Sequence, residues 1–198
     1  MHSGLPITRL LADVKGDDPA ARERLLATIY DELYAIARRQ MNREGNGCTL
    51  QPTALVNEAY MRLFGQNGKV DWDNRGHFFA AAARVMRQIR VDDARRRKRV
   101  KRGGGAKRVE LRDDAAIVDT NPTEVLAVHE ALECLEQEDA RKAEIVMLRY
   151  FAGFTVEECS EALGVSARTI NSDWRFARAW LHRKLSKSDT AFNAVDPP

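Results

Sequence analysis

The sequence predicts an all-α protein built from two small helical domains that a flexible linker joins. Nearly every segment with hydrophobic periodicity repeats at helical spacing, and no segment alternates as a strand would. Three consecutive glycines at 103–105 interrupt this pattern, and each glycine costs a helix about 1 kcal/mol relative to alanine. Helical periodicity resumes only after Asn121 and Pro122. We therefore predict domains at 1–102 and 122–186, a linker at 103–121 and a disordered tail at 187–198.

Three helices are predicted in the amino-terminal domain from apolar residues that recur on one face. A loop at 65–76, rich in Gly, Asn and Asp, separates the second helix from the third, which begins near His77. The apolar stripes are Leu25, Ile29, Leu33 and Ile36 in the first helix, Leu55, Val56, Ala59, Tyr60, Leu63 and Phe64 in the second, and Phe78, Ala82, Val85 and Ile89 in the third.

The carboxy-terminal domain opens with a helix start at Asn121, Pro122 and Glu124, which supply a cap, a first-turn proline and a capping partner. Its most informative segment is 150–185, which reads as a helix, a short turn and a longer basic helix. Thr155 with Glu158 forms a capping box. Gly164 supplies the permissive backbone where the first helix ends, and Ser166 caps the second. These local signals predict a helix-turn-helix, a motif that places side chains in a DNA major groove.

The second helix of this motif has two chemically different faces. Its apolar face is predicted to enter the core, and its opposite face can reach base edges and phosphates. An ordinary amphipathic hairpin with a solvated basic face is the alternative reading. The core face comprises Ile170, Trp174, Ala177, Leu181 and Leu185, and the opposite face comprises Arg168, Ser172, Arg175, Phe176, His182 and Arg183, with Asn171 at its edge.

Charge is distributed unevenly along the chain, although the formal net charge is only +3. Residues 84–108 hold 12 Arg and Lys against 2 Asp, whereas 109–144 hold 11 Asp and Glu against 3 Arg and Lys. Residues 168–187 are basic again, with 6 Arg and Lys against one Asp. Two basic segments around an acidic one predict two nucleic-acid contacts. For the cations that end the third helix, compensation of the helix dipole is the alternative.

Other function classes find little support in the sequence. The three cysteines, Cys48, Cys134 and Cys159, have neither CxxC spacing nor a common segment, so neither a disulfide framework nor a zinc site is predicted. Cys159 reads as a small buried thiol. No apolar run approaches the roughly 20 residues that cross a bilayer. We expect a cytoplasmic protein with no membrane insertion, no metal and no cofactor.

Four segments, in this order, resemble the bacterial RNA polymerase sigma factors of the sigma-70 family, in the compact extracytoplasmic-function (ECF) subfamily. They begin with the DEL at 31–33 and the ALVNEAYMRLF at 54–64. The third is 78–99, with its Phe, Arg, Val, Arg, Asp and closing Arg cluster. The fourth combines the YFAGFT at 150–155 with the LGVS at 163–166. The resemblance covers about residues 8–186, and it implies sigma region 2 in the first domain and region 4 in the second.

The resemblance implies a protein without catalytic residues that binds core RNA polymerase, through its clamp helices and flap, and directs it to promoter DNA. An anti-sigma factor is a further partner that the resemblance leaves open. The implied residues form three groups. Those for the minus-35 element are Arg168, Asn171, Ser172, Arg175 and Phe176; those for the minus-10 element and the DNA backbone are Trp72, Asn74, Arg75, His77, Arg84, Arg87, Arg95 and Arg96; and those for the polymerase are Asn57, Glu58 and Arg62.

Two alternatives remain beside this reading. A helix-turn-helix regulator without sigma activity would need only the second domain and usually a dimer surface, for which no apolar stripe is spare. A metal-dependent nucleic-acid enzyme would need Asp92 and Asp93 with His77, but adjacent side chains on a helix point about 100° apart. The chain also departs from the usual family pattern at Ala81, Gln88 and Asn171, where Trp, Asn and a basic residue are frequent.

Overall fold

The computed structural model describes residues 4–14, 19–42, 50–65, 72, 74–102 and 122–193, and every regular element in these ranges is helical. The all-α prediction is therefore confirmed for this part of the chain. A π-helical turn, Met147–Ala152, follows the sixth helix directly. The helices are α1 Gly4–Asp13, α2 Pro19–Asn42, α3 Pro52–Phe64, α4 Arg75–Arg102, α5 Pro122–Glu138, α6 Ala140–Val146, α7 Val156–Leu163 and α8 Ala167–Asn193.

The apolar stripes predicted for α2, α3 and α4 form the core of the amino-terminal domain. Leu25, Ile29, Leu33 and Ile36 are buried in α2, and the α3 and α4 stripes are buried apart from the half-buried Tyr60 and Val85. Helix α1, which periodicity did not predict, adds Ile7 and Leu11 to this core. The three predicted helices therefore pack together through the faces that their spacing indicated.

Helix α4 begins two residues before the predicted start at His77. The side chain of Asn74 accepts a hydrogen bond from the backbone N–H of His77 at 2.8 Å, which satisfies one donor of the first turn. The predicted loop at 65–76 is therefore shorter at its end, because Arg75 and Gly76 belong to the helix. Residues 66–71 and 73 lie outside the described part of the chain.

In the carboxy-terminal domain α5 begins at Pro122, as predicted, and α8 continues beyond its predicted end. The disordered tail predicted at 187–198 is wrong as far as Asn193, because the helix runs to that residue. Asp139 caps α6 by accepting a hydrogen bond from the backbone N–H of Lys142 at 3.0 Å. The π-helical turn ends at Gly153, whose φ of 83° is left-handed.

The helices of the two predicted domains pack against each other in this structure. One continuous buried cluster runs from Ile7 to Trp180, and α4 contacts α5, α7 and the π-helical turn. Arg39 on α2 donates a hydrogen bond to the backbone carbonyl of Ala152 at 2.6 Å. The predicted linker at 103–121 lies outside the described residues, so the division into two domains stays a prediction.

Candidate nucleic-acid and polymerase interfaces

The helix-turn-helix is fixed by short-range hydrogen bonds. Thr155 accepts from the N–H of Glu158 at 3.1 Å, and the Glu158 carboxylate accepts from the N–H of Thr155 at 2.8 Å, which completes the capping box. Gly164 adopts a left-handed φ of 64° after α7. Ser166 then accepts from the N–H of Thr169 at 3.1 Å. Thr155, Gly164 and Ser166 therefore begin or end these helices at the positions predicted from the sequence.

The side of α8 predicted to bind DNA is exposed. Arg168, Asn171, Ser172 and Arg175 are all exposed, and 48% of the Phe176 side chain surface is accessible. The ammonium of Lys142 lies 4.8 Å from the centre of the Phe176 ring, so a cation from α6 borders the same surface. Basic and polar groups on an exposed helix can reach phosphates and base edges.

The opposite side of α8 enters the core, as predicted, through Ile170 and Ala177, and it also buries a residue that sequence reasoning missed. Asp173 is the one acidic residue in the basic segment, and its carboxylate accepts a hydrogen bond from Arg141 at 2.9 Å. Trp174 is only half-buried, and the guanidinium of Arg149 lies 5.1 Å from its ring. Asp173 therefore fastens α8 to α6.

An apolar groove of about 590 Å³ lies between α5, the π-helical turn and α8. Its floor is mostly hydrophobic, and cationic side chains line one edge. The lining residues on α8 include Trp174, Arg175, Arg178, Leu181, His182 and Leu185, and those on the other elements are Val128, Leu132, Val146, Tyr150 and Phe151.

The outer side of α3 carries the residues predicted to meet the polymerase. Asn57 is exposed, and the exposed side chain of Arg62 bonds to Glu58 at 2.7 Å and to Asp92 on α4 at 3.3 Å. Met61 lies beside them with 67% of its surface accessible, more than any other large hydrophobic residue described. Sequence reasoning missed this residue, although it lies within the quoted motif. Methionine is frequent at adaptable protein-binding surfaces, because its unbranched side chain fits partners of different shape.

The residues predicted for the minus-10 element differ sharply in exposure. Trp72 is buried, with only 6% of its surface accessible. Its ring packs edge-on against Phe64 and Phe78, and the ring centres are 5.2 and 5.0 Å away. It would have to leave this core before it could stack on a base. Arg95 and Arg96, farther along α4, are exposed and free to approach phosphates sterically. The role of Trp72 stays a prediction that this arrangement does not favour.

Asn74 and Arg75 lie at the contact between the two domains. The Asn74 amide donates to the carbonyl of Ala162 on α7 at 3.3 Å. The Arg75 guanidinium pairs with Glu32 at 2.5 Å and with Glu158 at 3.4 Å, and it lies 5.1 Å from the ring centres of both Phe79 and Phe154. Arg84, two turns farther along, pairs with Glu136 on α5 at 3.4 Å. We call these contacts of Asn74, Arg75 and Arg84 with α5 and α7 the clasp.

A cavity of about 180 Å³ at the same contact is lined by Arg87, Arg90 and His129, among others. Burial lowers the pKa of Arg87, and it lowers that of Arg90 to about 10. Burial also lowers the pKa of His129, and the Arg87 guanidinium adds to this effect. All three shifts mean that the surroundings disfavour the charged forms.

Comparison with known families decides between the possible identities of a two-domain helical protein with an exposed recognition helix. A model of the ECF sigma factor family matches residues 5–187. The chain belongs to the ECF sigma factor family. A comparison with individually curated proteins finds no similar sequence. The match includes both helical domains, so the family covers the α3 surface, the α4 cations and the helix-turn-helix together.

In this ECF sigma factor Asp92 and Asp93, the carboxylates that the metal-dependent alternative requires, bind other side chains. Asp92 accepts hydrogen bonds from Arg62 and from Gln88, the latter at 3.0 Å, while Asp93 pairs with Arg97 at 3.0 Å. Across the described ranges, no three His, Cys, Asp or Glu side chains gather as a metal site would require. The adjacent Asp92 and Asp93 therefore point to different partners, as helical geometry predicts.

Two cysteines of the sigma factor lie in described ranges, and both are free thiols. Cys159 is fully buried in α7, as predicted, and burial raises its pKa to about 11. Cys134 is half-buried in α5. Among the described helices, none combines the length and the apolar character needed to cross a membrane.

Proposed function

We propose that this protein binds core RNA polymerase and directs it to specific promoters, with no bond-making chemistry of its own. The observation that carries the proposal is the family match over 5–187 together with an exposed, capped recognition helix. Members of a sigma family act in transcription initiation. A cytoplasmic location and an anti-sigma factor as a further partner are parts of the same proposal.

The exposed side of α8 is proposed to read the minus-35 element in the major groove. Arg175 and Arg168 offer guanidinium groups, and a bidentate contact of this kind with guanine discriminates by about 1–3 kcal/mol. Asn171 and Ser172 offer shorter polar contacts, and Phe176 offers an apolar one. All five side chains are exposed on one face, which supports a shared binding surface.

The first turn of α4 is proposed to meet the minus-10 element, and the arginines that follow it are proposed to contact the DNA backbone. Asn74, Arg75 and His77 lie in or next to the first turn, while the arginines follow at helical intervals. A row of guanidinium groups along one helix can neutralise successive phosphates. The proposed backbone contacts are Arg84, Arg87, Arg95 and Arg96, and Trp72 remains a candidate for base stacking only if it leaves the core.

The exposed side of α3 is proposed to bind the clamp helices of the polymerase. Asn57, Glu58 and Arg62 provide polar groups there, and we add Met61 as the apolar centre of the contact. The groove between α5 and α8 is proposed to receive the flap, because it is apolar and bordered by cations.

Run-off transcription with purified core polymerase tests the proposal. We expect new transcript starts on genomic fragments when the protein is added, and these starts should share two spaced upstream elements. If starts do not change while the protein binds duplex DNA alone, the helix-turn-helix regulator without sigma activity is the better function. A metal-dependent change in the DNA itself would instead support the enzyme alternative.

A further inference from the structure

The cavity of about 180 Å³ is bordered by α2, α4, α5 and the π-helical turn. Arg87 and Arg90 line it from α4, His129 from α5 and Gln40 from α2. Of these four side chains, those of Gln40, Arg90 and His129 belong to residues that are at most 6% exposed. A cavity of this size holds several waters or one small molecule, whereas drug-sized ligands occupy pockets of about 300 Å³ or more. A ligand of this cavity is therefore small.

The two arginines bring positive charge into a poorly solvated space. Burial lowers the pKa of Arg87, against the opposing effect of carboxylates on α5, and it lowers the pKa of Arg90 to about 10. Both guanidinium groups stay charged at neutral pH. The Nε and Nη1 atoms of Arg87 are buried and have no hydrogen-bond partner within the described part of the chain. Arg84 of the clasp, one turn earlier, has Glu136 as its partner at 3.4 Å. An anion in the cavity would offset the cost of burying Arg87.

The walls of the cavity also hold two buried hydrogen-bond acceptors. The amide nitrogen of Gln40 donates to the carbonyl of Ala83 at 3.2 Å, so the other amide atom, Oε1, is an acceptor. Burial lowers the pKa of His129, so its ring is neutral at neutral pH. The Glu133 carboxylate lies 3.4 Å from Nε2 of that ring and favours the proton there, which leaves Nδ1 as an acceptor. Neither Oε1 nor Nδ1 has a hydrogen-bond partner among the described residues. A fitting ligand therefore accepts hydrogen bonds from guanidinium groups and donates at least one.

We propose that this cavity binds a small oxyanion that carries a proton, with the size and chemistry of hydrogen phosphate. Its negative oxygens accept hydrogen bonds from Arg87 and Arg90, and its hydroxyl group donates to His129 or Gln40. The exposed Glu124 also lines the cavity, and its negative charge favours an anion that keeps a proton over a fully ionised one. The inference goes beyond the proposed function, because a free anion has no part in reading a promoter.

The DNA backbone is a second source of the same phosphate chemistry, and Arg87 is one of the proposed backbone contacts. A backbone phosphate differs from the free anion in two respects. It has no proton to donate, and it carries a nucleoside on each side that a cavity of about 180 Å³ does not hold. The free anion therefore matches this cavity better than DNA does.

A phosphorus NMR titration of the full-length protein tests the site, with inorganic phosphate as the probe at neutral pH and constant ionic strength. Exchange with a site on the protein broadens the phosphate signal. The cavity variants are Arg90→Met and, separately, His129→Leu. The matched control is Arg99→Met, which removes the same charge from an exposed position of α4 that does not line the cavity. Circular dichroism compares the folding of all variants.

We expect saturable phosphate binding to the wild type and to Arg99→Met. Binding to Arg90→Met should be roughly tenfold weaker, as the loss of one hydrogen bond to a charged group implies. Sulfate has the same shape but carries no proton at neutral pH, so it should compete roughly tenfold less well than unlabelled phosphate would. His129→Leu should weaken phosphate binding and narrow this difference between the two anions. A short duplex DNA should leave the bound phosphate in place.

An absence of saturable binding to the wild type would overturn the proposal. So would equal phosphate affinity in Arg90→Met and Arg99→Met, which would locate the binding on the general surface, or competition by sulfate as strong as that by phosphate. Displacement of phosphate by duplex DNA would assign the cavity to the DNA backbone and refute a site for a free anion. If Arg90→Met does not fold, His129→Leu is compared with the control, and equal affinity there refutes the site in the same way.

Discussion

Replacement of Gly153 by alanine tests how the two domains are held together. Gly153 has a φ of 83°, and an added methyl group would overlap the Arg39 guanidinium. Gly164 has a φ of 64° and no neighbour within 4 Å of the same added group. Both substitutions incur a left-handed backbone cost of about 1–2 kcal/mol. Only Gly153→Ala should also displace Arg39 from the carbonyl of Ala152, which it contacts at 2.6 Å.

Hydrogen bonds to charged groups contribute about 1.5–3 kcal/mol to stability, and the lower end applies because Arg39 is half-buried. We therefore expect Gly153→Ala to lower the free energy of unfolding by about 1.5 kcal/mol more than Gly164→Ala does. Urea unfolding followed by circular dichroism and by tryptophan fluorescence measures this difference. Coincident curves from the two probes would justify a two-state treatment.

Arg39→Ala supplies the control through a double-mutant cycle. If the guanidinium is the reason for the extra cost, Gly153→Ala in the Arg39→Ala background should cost no more than Gly164→Ala does alone. Equal costs for the two glycine variants in the wild-type background would refute the reasoning. If Gly153→Ala still lowers the free energy of unfolding by the extra amount when Arg39 is absent, the effect arises from the π-helical turn itself and not from the contact between domains.

Four further outcomes are expected. Arg168→Ala should change the ranking of promoters in run-off transcription while leaving polymerase binding intact, because its exposed side chain is proposed to reach bases and does not line the groove proposed for the flap. Glu58→Lys should weaken assembly with core polymerase, measured by native gel, with little change in fold since its pair with Arg62 is exposed. Because burial lowers the pKa of His129 below its ordinary 6.5, the unfolded chain takes up the proton first, so stability should fall as the pH drops below 6.5. His129→Gln should remove that part of the pH dependence in urea titrations at several pH values. Cys159 should react with a thiol reagent roughly tenfold more slowly than Cys134, because burial raises its pKa to about 11 and hides its sulfur. Mass spectrometry measures both reaction rates, and comparable rates would contradict the burial of Cys159.

The helix-turn-helix could be predicted from the sequence because its signals are local. Thr155 and Glu158 are three residues apart, Gly164 ends the helix within the same stretch, and Ser166 starts the next one. Each of these residues acts on backbone groups within a turn of itself. The start of α5 at Pro122 was predictable for the same reason.

The contacts that join the domains could not be predicted in this way. Arg75 and Glu158 are 83 residues apart, and no periodicity links them. Asp173 looked like an isolated acid in a basic helix, and its partner Arg141 lies 32 residues earlier. For Trp72, the family resemblance implied base stacking and the sequence left packing onto the domain equally open, and nearby aromatic rings bury it. Only the packed structure brings such partners together.

The charge pattern that predicted two nucleic-acid contacts also accounts for an ion pair between α4 and α5, that of Arg84 with Glu136. The basic segment at 84–108 and the acidic one at 109–144 are adjacent in sequence, and α4 and α5 bring them together in space. Carboxylates on α5 then offer the α4 arginines the same charge that a DNA backbone would offer. Exposed ion pairs are weak and screened by salt, so such a pair presents only a small energetic barrier to the phosphate contacts proposed for Arg84.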